Sequence, residues 1–329
     1  MSVSGPGRGY RAGISLRQLF RIFPNDERAE AWFIRQRWPQ GVVCPHCGSF
    51  NVQTGAKHKT MPFRCREKEC GKRFSTKTGT VMEGSKLGYQ TWLVAAYILS
   101  TSLKSVSSTK LARDLGITQR SAWFLAHRLR AALAAEGQAF TGPVEVDETY
   151  VGGRLQNRSR ATRERMANEM GWGGVAGKEP VVGVRDRATG QVAARAIEIA
   201  DRVTLEDFLI EHAAPGATVY SDGAQQYARI SFDHETVEHT NEYVRGDVHT
   251  NGLESFWSTI KRAYKGTFHK LSPKHLDRYV QEFAGRHNLR DQDTIEMMAA
   301  IAAGMRGKRL RYRELIAPNG RPNGARPTR

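Results

Sequence analysis

Three acidic side chains stand in sequence settings that favour catalysis by metal ions. Asp147 and Asp222 lie in or directly after short apolar runs rich in β-branched residues, which predict strands, and Glu254 opens a helical pattern. Two strand carboxylates and one helix carboxylate can converge on a pair of divalent cations, Mg²⁺ or Mn²⁺. Such a pair supports in-line attack on a phosphodiester, so these residues predict a catalytic metal site.

Each carboxylate also has an ordinary alternative role. An Asp after a strand commonly forms a turn, and Glu254 suits the first turn of any helix by its charge. Asn251 competes as the third ligand, because an amide oxygen can also bind Mg²⁺, although charge favours Glu254. Glu148 directly follows Asp147 and is expected to point to the opposite face of a regular strand.

The helix that Glu254 opens is predicted to have two different faces. At about 100° per residue, Lys261 and Lys265 share the face of Glu254. These lysines, with Arg262, are predicted to bind DNA phosphates. The opposite side is apolar and is predicted to pack into the core through Phe256, Ile260, Ala263 and Tyr264.

Four cysteines form two pairs with the spacing C-x2-C, seventeen residues, C-x4-C. Tetrahedral zinc is bound by four thiolates on two such turns. His46 could compete as a ligand, but the cysteines complete the site without it. Aromatic and basic residues are interleaved with the cysteines, which suits contact with nucleic acid. The alternative is that zinc only holds the fold of this segment together. The predicted zinc ligands are Cys44, Cys47, Cys65 and Cys70.

A segment between the cysteines and the first acidic motif fits a helix-turn-helix. Ser107 or Ser108 can cap its first helix, Gly116 ends it, and Thr118 caps the second. The alternative is an ordinary helical hairpin with solvated polar residues. Small and apolar residues suit the tight helix crossing: Leu111, Ala112, Leu115, Ile117, Ala122 and Leu125. The start of the second helix then offers side chains to a major groove: Gln119, Arg120 and Ser121.

The charge of the chain indicates a polyanionic partner. Its 329 residues carry a net charge of +17, which favours nucleic acid, although a ribosome-associated or simply basic protein would also be positively charged. Its polar N-terminus does not resemble a signal peptide, and no apolar run is long enough to span a membrane. We therefore expect a cytoplasmic, nucleoid-associated protein without disulfides.

The composition divides the chain into successive regions. N-terminal helices and the zinc ribbon are predicted over 14–80, the helix-turn-helix region over 86–135, and an α/β catalytic domain over 143–290. A basic tail is predicted over 306–329, and the Arg- and Gly-rich stretch 154–178 is predicted to be a loop or insertion.

Within the α/β region, short strands alternate with helices from about Val144 onward. The stretch Pro180–Ile199 predicts a β-hairpin, because two apolar runs flank a turn at Ala188–Gln191. The zinc ribbon and the helical region are expected to precede this α/β core as separate small elements.

Taken together, the cysteine knuckles, the helix-turn-helix and the motifs V-E-V-D-E-T-Y-V-G-G, Y-S-D-G-A and N-G-L-E-S-F-W-S-T-I-K-R resemble bacterial insertion-sequence transposases. The resemblance is to the DDE type with an N-terminal zinc ribbon and extends over roughly 15–290. It implies an RNase H-like core of mixed sheet and helices with two Mg²⁺ ions. Asp147 and Asp222 match the two aspartates of the family, and Lys261 matches a lysine two turns after its Glu. Some members have Asn where others have Glu, so Glu254 and Asn251 both remain possible.

This resemblance implies a transposase that cuts at the ends of its element and joins them to target DNA. Because two DNA ends must be joined, we expect at least a homodimer on double-stranded DNA. The alternatives are a non-catalytic DNA-binding regulator and a stand-alone nuclease with an RNase H-like core. All three carboxylates are present, which argues against the regulator, and two DNA-binding modules exceed what a nuclease needs.

Overall fold

The computed structural model describes residues 13–134, 139–153, 155–157, 159–161, 163–164, 168, 177–222, 224–227, 230–236 and 251–322, with the backbone alone for residue 251. The chain divides into two compact units. The first comprises Met1–Leu133 and Leu289–Ala317, and the second comprises Ala134–Asn288 and Pro318–Arg329. Along the sequence, the larger part of the second unit, Ala134–Asn288, thus lies between the two parts of the first.

The first unit is helical apart from a small three-stranded antiparallel sheet, the zinc ribbon, ordered β1-β2-β3. Its strands are β1 (Val52–Gln53), β2 (Phe63–Cys65) and β3 (Arg73–Phe74). Its helices in the described residues are α1 (Leu16–Ile22), α2 (Asp26–Arg37), α3 (Tyr89–Thr101), α4 (Ser108–Leu115), α5 (Gln119–Leu133), α9 (Thr294–Gly304) and α10 (Tyr312–Ile316).

Local sequence signals set several of these helix ends. The side chain of Asn25 accepts a hydrogen bond from the backbone N–H of Arg28 and caps α2, as its sequence position predicts. Ser107 caps α4 in the same way. Gly116 ends α4 in the left-handed conformation with φ 62°, which glycine adopts without steric cost.

Residues far apart in the chain complete the core of the first unit. The buried side chains of α2, α3 and α5 pack with Met298, Ile301 and Met305 from α9 or its end. The sequence patterns placed the end of the catalytic domain at 290, left 291–305 unassigned and predicted a basic tail from 306. In the structure, residues 306–317 are not a tail but part of the first unit, in which Leu310 and Leu315 are buried. Residues 323–329 lie outside the described part.

The second unit contains a mixed five-stranded sheet with the order β6-β5-β4-β7-β8. Strand β4 pairs antiparallel with β5 and parallel with β7. The strands are β4 (Val144–Val151), β5 (Glu179–Asp186), β6 (Val192–Ala196), β7 (Thr218–Ser221) and β8 (Asp233–Thr236). Helices in its described residues are α6 (Arg202–His212), α7 (Asn251–Ala263) and α8 (Pro273–Asn288).

Two apolar clusters cover this sheet on opposite faces. Alternate residues of β4, Val144 and Val146, pack with Leu205 and Phe208 of α6. On the other face, α7 and α8 pack against β5 and β6. The mixed sheet between helices confirms the predicted RNase H-like core, and the paired strands β5 and β6 confirm the predicted hairpin. In the described residues, no helix is long and apolar enough to cross a membrane.

Candidate active site and nucleic-acid interface

The four cysteines of the ribbon come together around one point. The Sγ atoms of Cys44 and Cys70 are 3.8 Å apart, those of Cys47 and Cys65 are 3.6 Å apart, and all four lie within 4.8 Å of one another. Zn–S bonds of about 2.3 Å in a tetrahedron place the sulfurs about 3.8 Å apart. The donor set and its spacing therefore support Zn²⁺.

Strand pairing brings the two predicted catalytic aspartates side by side. Asp147 lies within β4, and Asp222 directly follows Ser221 at the end of β7. Parallel pairing aligns Val144 with Val219, and the same register continued by three residues aligns Asp147 with Asp222 on one face. Burial, followed by the charges of Glu148 and Asp222, raises the pKa of Asp147 to about 7. The site thus concentrates negative charge in a partly buried position.

A tryptophan from α7 fixes the carboxylate of Asp147. The indole Nε1–H of Trp257 donates to Oδ2 of Asp147 at 2.9 Å, while the ring itself is only 3% exposed. Gly183 faces Asp147 on β5, and a Cβ atom there would lie 2.7 Å from the Trp257 ring. Glycine at this position therefore lets the indole reach the sheet. The sequence patterns gave no sign of this hydrogen bond.

The third candidate carboxylate, Glu254, lies in the first turn of α7, one turn before Trp257. It is exposed, and its apolar neighbours Phe256 and Ile260 are buried as predicted. Asn251 begins the helix, but its side chain lies outside the described residues. Among the described residues, the four cysteines form a group of metal-binding side chains with all ligand atoms within 4.8 Å of one another, and no three carboxylates form such a group. The three carboxylates therefore stand farther apart than the thiolates do.

A buried ion cluster lies beneath the first turn of α7. Glu145, fully buried, pairs with Arg185 at 2.9 Å and with Arg187 at 3.2 Å. A Cβ atom on Gly252 would lie 2.5 Å from the guanidinium of Arg185. Gly252 therefore allows α7 to start in direct contact with Arg185, because glycine has no Cβ atom.

Glu148 points away from Asp147, as strand alternation predicted, and has partners of its own. Its Oε1 accepts from Gln226 Nε2 and its Oε2 from the hydroxyl of Tyr227, both at 2.6 Å. Gln226 and Tyr227 follow Asp222 by a few residues, so Glu148 ties the Asp222 loop to β4. Tyr227 is fully buried, which the sequence patterns did not reveal.

The predicted phosphate-binding residues are exposed on and after α7. Lys261 and Arg262 lie in its last turn. The α-helix ends at Ala263, and Lys265 lies in a π-helical turn, Tyr264–Phe268, that the α-helical pattern did not predict. Gly153 closely approaches this turn, since a Cβ there would lie 3.4 Å from the Tyr264 hydroxyl. π-Turns are rare and occur frequently at functional sites.

In the helix-turn-helix, the predicted packing residues are buried or partly buried in one core. The predicted base-reading residues open α5, and each makes an intramolecular contact. Gln119 donates to the Ser108 hydroxyl at 2.8 Å, and the Ser121 backbone N–H donates to Thr118 Oγ1 at 3.2 Å. The guanidinium of Arg120 lies 4.4 Å from the centre of the Tyr312 ring. Base reading by these residues stays a prediction.

Two family models match the chain. An ISXO2-like transposase domain matches residues 139–288, and a transposase zinc-ribbon domain matches residues 24–73. An uncharacterized protein in transposable element ISH50 of Halobacterium salinarum is 30% identical over 281 residues, covering 82% of this chain and 93% of that protein.

The matched domains and the relative in a transposable element, together with the zinc ribbon and the RNase H-like sheet, place the chain in the class of transposases. The chain belongs to the insertion-sequence transposases of the DDE type that carry an ISXO2-like transposase domain and an N-terminal zinc ribbon. This confirms the family predicted from the motifs.

Proposed function

We propose that this transposase binds the ends of its element, hydrolyses the phosphodiester at each 3′ end and joins the freed 3′-OH to target DNA. The observation that carries the proposal is the parallel register of β4 and β7, which, continued past the end of β7, sets Asp147 beside Asp222 in a chain of this family. Both steps are displacements at phosphorus, so one site can serve both.

The proposed ligands of two Mg²⁺ or Mn²⁺ ions are Asp147, Asp222 and Glu254, with Asn251 as the alternative to Glu254. Oxygen donors suit these hard cations, and the crowded negative charge around Asp147 suits a divalent ion. When bound, the ions lower the pKa of the attacking water or hydroxyl and stabilise the leaving oxygen.

The protein's own residues position these groups. Trp257 holds one oxygen of Asp147 through its indole N–H, and Glu148 holds the loop that follows Asp222. Exposed Lys261, Arg262 and Lys265 are proposed to bind DNA phosphates beside the carboxylates. Catalysis then rests mainly on positioning and electrostatic stabilisation.

DNA recognition is assigned to the first unit. The zinc ribbon and the helix-turn-helix bind the element ends, and the start of α5 reads bases with Gln119, Arg120 and Ser121. Because the reaction joins two ends, we propose that at least two copies of the chain assemble on DNA.

The test is nicking of a supercoiled plasmid that carries the DNA flanking this gene, with Mg²⁺ or Mn²⁺. Asp222→Ala and Glu254→Gln should each lower the rate on the order of 10³-fold, because each removes a ligand. Asn251→Ala should keep activity if Glu254 is the third ligand. Binding to the same DNA should be unchanged in all three variants, which separates catalysis from recognition. Tight binding by the unmodified chain without nicking in either metal would refute the catalytic function.

A further inference from the structure

The segment after α9, residues 305–316, is fastened to residues 79–81, just after the zinc ribbon, and to α5 of the helix-turn-helix region. The backbone N–H of Val81 donates to the Met305 carbonyl, and that of Gly307 donates to the Gly79 carbonyl, both at 3.1 Å. From α5, Arg128 Nε donates to the Leu310 carbonyl at 3.1 Å. The segment therefore has a defined path along the recognition helix.

Side chains of the short helix α10 strengthen this attachment. Leu315 is buried, and the ring centre of Tyr312 lies 5.4 Å from that of Phe124 and 6.4 Å from that of Trp123. Both aromatic partners belong to α5. Tyr312 is thereby packed on the helix that is predicted to enter the major groove.

Tyr312 also contacts the predicted base-reading surface directly. Its ring lies 4.4 Å from the guanidinium carbon of Arg120, the second residue of α5. A guanidinium over an aromatic ring is attracted to it and loses part of its rotational freedom. Arg120 is otherwise exposed, so the ring is what restrains its orientation beside the groove-facing end of the helix.

The segment carries a high density of positive charge. Its basic residues are Arg306, Lys308, Arg309, Arg311 and Arg313, against one acidic residue, Glu314. Burial, and next the charge of Arg309, lowers the pKa of Arg128 to about 10. Burial and next Arg306 do the same to Arg37. Arg309 and Arg311 have acidic partners in Glu83 and Glu314, and the remaining excess of positive charge favours a polyanion at this surface.

We propose that segment 305–316 belongs to the DNA-reading surface, where Tyr312 holds Arg120 in the orientation that reads a base and Arg313 binds a neighbouring backbone phosphate. This inference rests on the proposed function, because its ligand is the double-stranded DNA of the element ends. It makes Tyr312 a positioning residue and gives the short helix α10 a role in sequence preference.

The test measures equilibrium binding of the full chain to two duplexes by fluorescence anisotropy. One duplex is taken from the DNA flanking this gene, and the other has the same composition in scrambled order. Tyr312→Ala should lower the preference for the flanking duplex about threefold. Arg120→Ala should lower it at least as much, and the double variant should lose no more than Arg120→Ala alone. Tyr312→Phe keeps the ring and should keep the preference.

Arg313→Ala tests the phosphate contact separately. It should weaken binding to both duplexes alike and reduce the slope of log affinity against log salt by about one. Arg17→Ala removes the same charge from an exposed position on α1 and should leave that slope unchanged. Zinc content and the thermal unfolding midpoint of each variant establish that the first unit remains folded.

Several outcomes would overturn the inference while leaving the proposed function intact. Additive losses from Tyr312→Ala and Arg120→Ala would mean that the ring does not position the arginine. Tighter binding by Tyr312→Ala would mean that α10 masks Arg120 instead. An unchanged salt slope in Arg313→Ala would remove the phosphate contact. Equal binding of both duplexes by the unmodified chain would instead refute sequence recognition in the proposed function itself.

Discussion

The zinc ribbon and the candidate catalytic site of this transposase are built in opposite ways. The zinc ribbon collects four thiolates from a segment of 27 residues, Cys44 to Cys70, and brings their sulfurs within 4.8 Å. The carboxylate site draws Asp147, Asp222 and Glu254 from two strands and a helix, and leaves Glu254 exposed. One site is closed and suited to structure, whereas the other is open and suited to substrate.

The two sites also differ in their electrostatics. The thiolates have a closed geometry that one zinc ion completes. The carboxylates repel one another inside a partly buried site, and the neighbouring charges contribute to the raised pKa of Asp147. We therefore expect the ribbon to lose its fold without its metal, and the catalytic unit to remain folded but strained.

The largest expected effect is in the ribbon. Cys65→Ser should remove zinc binding, whose free energy in small zinc domains is about 10–16 kcal/mol, and unfold the ribbon. Native mass spectrometry should show the zinc lost, and hydrogen exchange should show β1–β3 unprotected. Asp222→Ala is the control and should retain one zinc. A ribbon that stays protected without zinc would break the contrast between the two sites.

A second prediction concerns the pH dependence of the catalytic unit without added magnesium. The pKa of Asp147 is about 7 in the folded chain, against an ordinary value of 3.8, so the folded state binds this proton more tightly. The free energy of unfolding should therefore fall as pH rises from about 4 to about 7, by roughly 2–4 kcal/mol, and then level off.

Asp147→Asn should make this fall smaller, leaving the part that the raised pKa of Glu148 contributes, and should make the unit more stable than the unmodified chain at pH 8, although it removes a proposed metal ligand. Hydrogen exchange of β4 and β5 measures the effect locally, which matters in a chain of two units. An unchanged pH profile in Asp147→Asn would show that the strain lies elsewhere.

The next largest effect concerns the packing that supports the carboxylate site. Gly183→Ala would place Cβ 2.7 Å from the Trp257 ring and should destabilise the second unit by about 3 kcal/mol. Gly142→Ala offers a matched control, because the nearest atom to its Cβ would lie at 3.5 Å, an ordinary contact. Thermal unfolding should separate the two variants, and equal midpoints would contradict the close packing of Trp257.

The smallest expected effect tests the hydrogen bond itself. Trp257→Phe removes the donor to Asp147 and should lower the nicking rate roughly tenfold, because groups that orient metal ligands commonly contribute this much. The Mg²⁺ concentration for half-maximal rate should rise as well, which a change in packing alone would not produce. Zinc content serves as the control, and an unaltered Mg²⁺ dependence would limit Trp257 to a core role.

Local chemistry made several features predictable. Ser107, Gly116 and the cysteine turns act within a few residues, so their spacing alone fixed the helix ends and the zinc ligands. The strand positions of Asp147 and Asp222 followed from short apolar runs in the same way. The predicted burial of Phe256, Ile260 and Ala263 followed from helical periodicity.

Contacts between distant segments escaped the sequence patterns. The bond from Trp257 to Asp147 spans 110 residues and depends on the missing side chain at Gly183. The return of residues 289–317 to the first unit was also missed, because the basic composition of 306–313 resembles a tail. The segment has two buried leucines, Leu310 and Leu315, and two apolar positions do not form a periodic pattern from which packing could be predicted.

The sequence by itself determined the zinc-binding cysteines, the helix and strand types and the transposase family, since these depend on residue type and short spacing. Only the tertiary structure decided which carboxylates meet, that Gln226 and Tyr227 are the partners of Glu148, and that Tyr312 lies against Arg120. The physical reason is that strand register and helix packing depend on the free energy of the whole core, to which residues far apart in the chain contribute together.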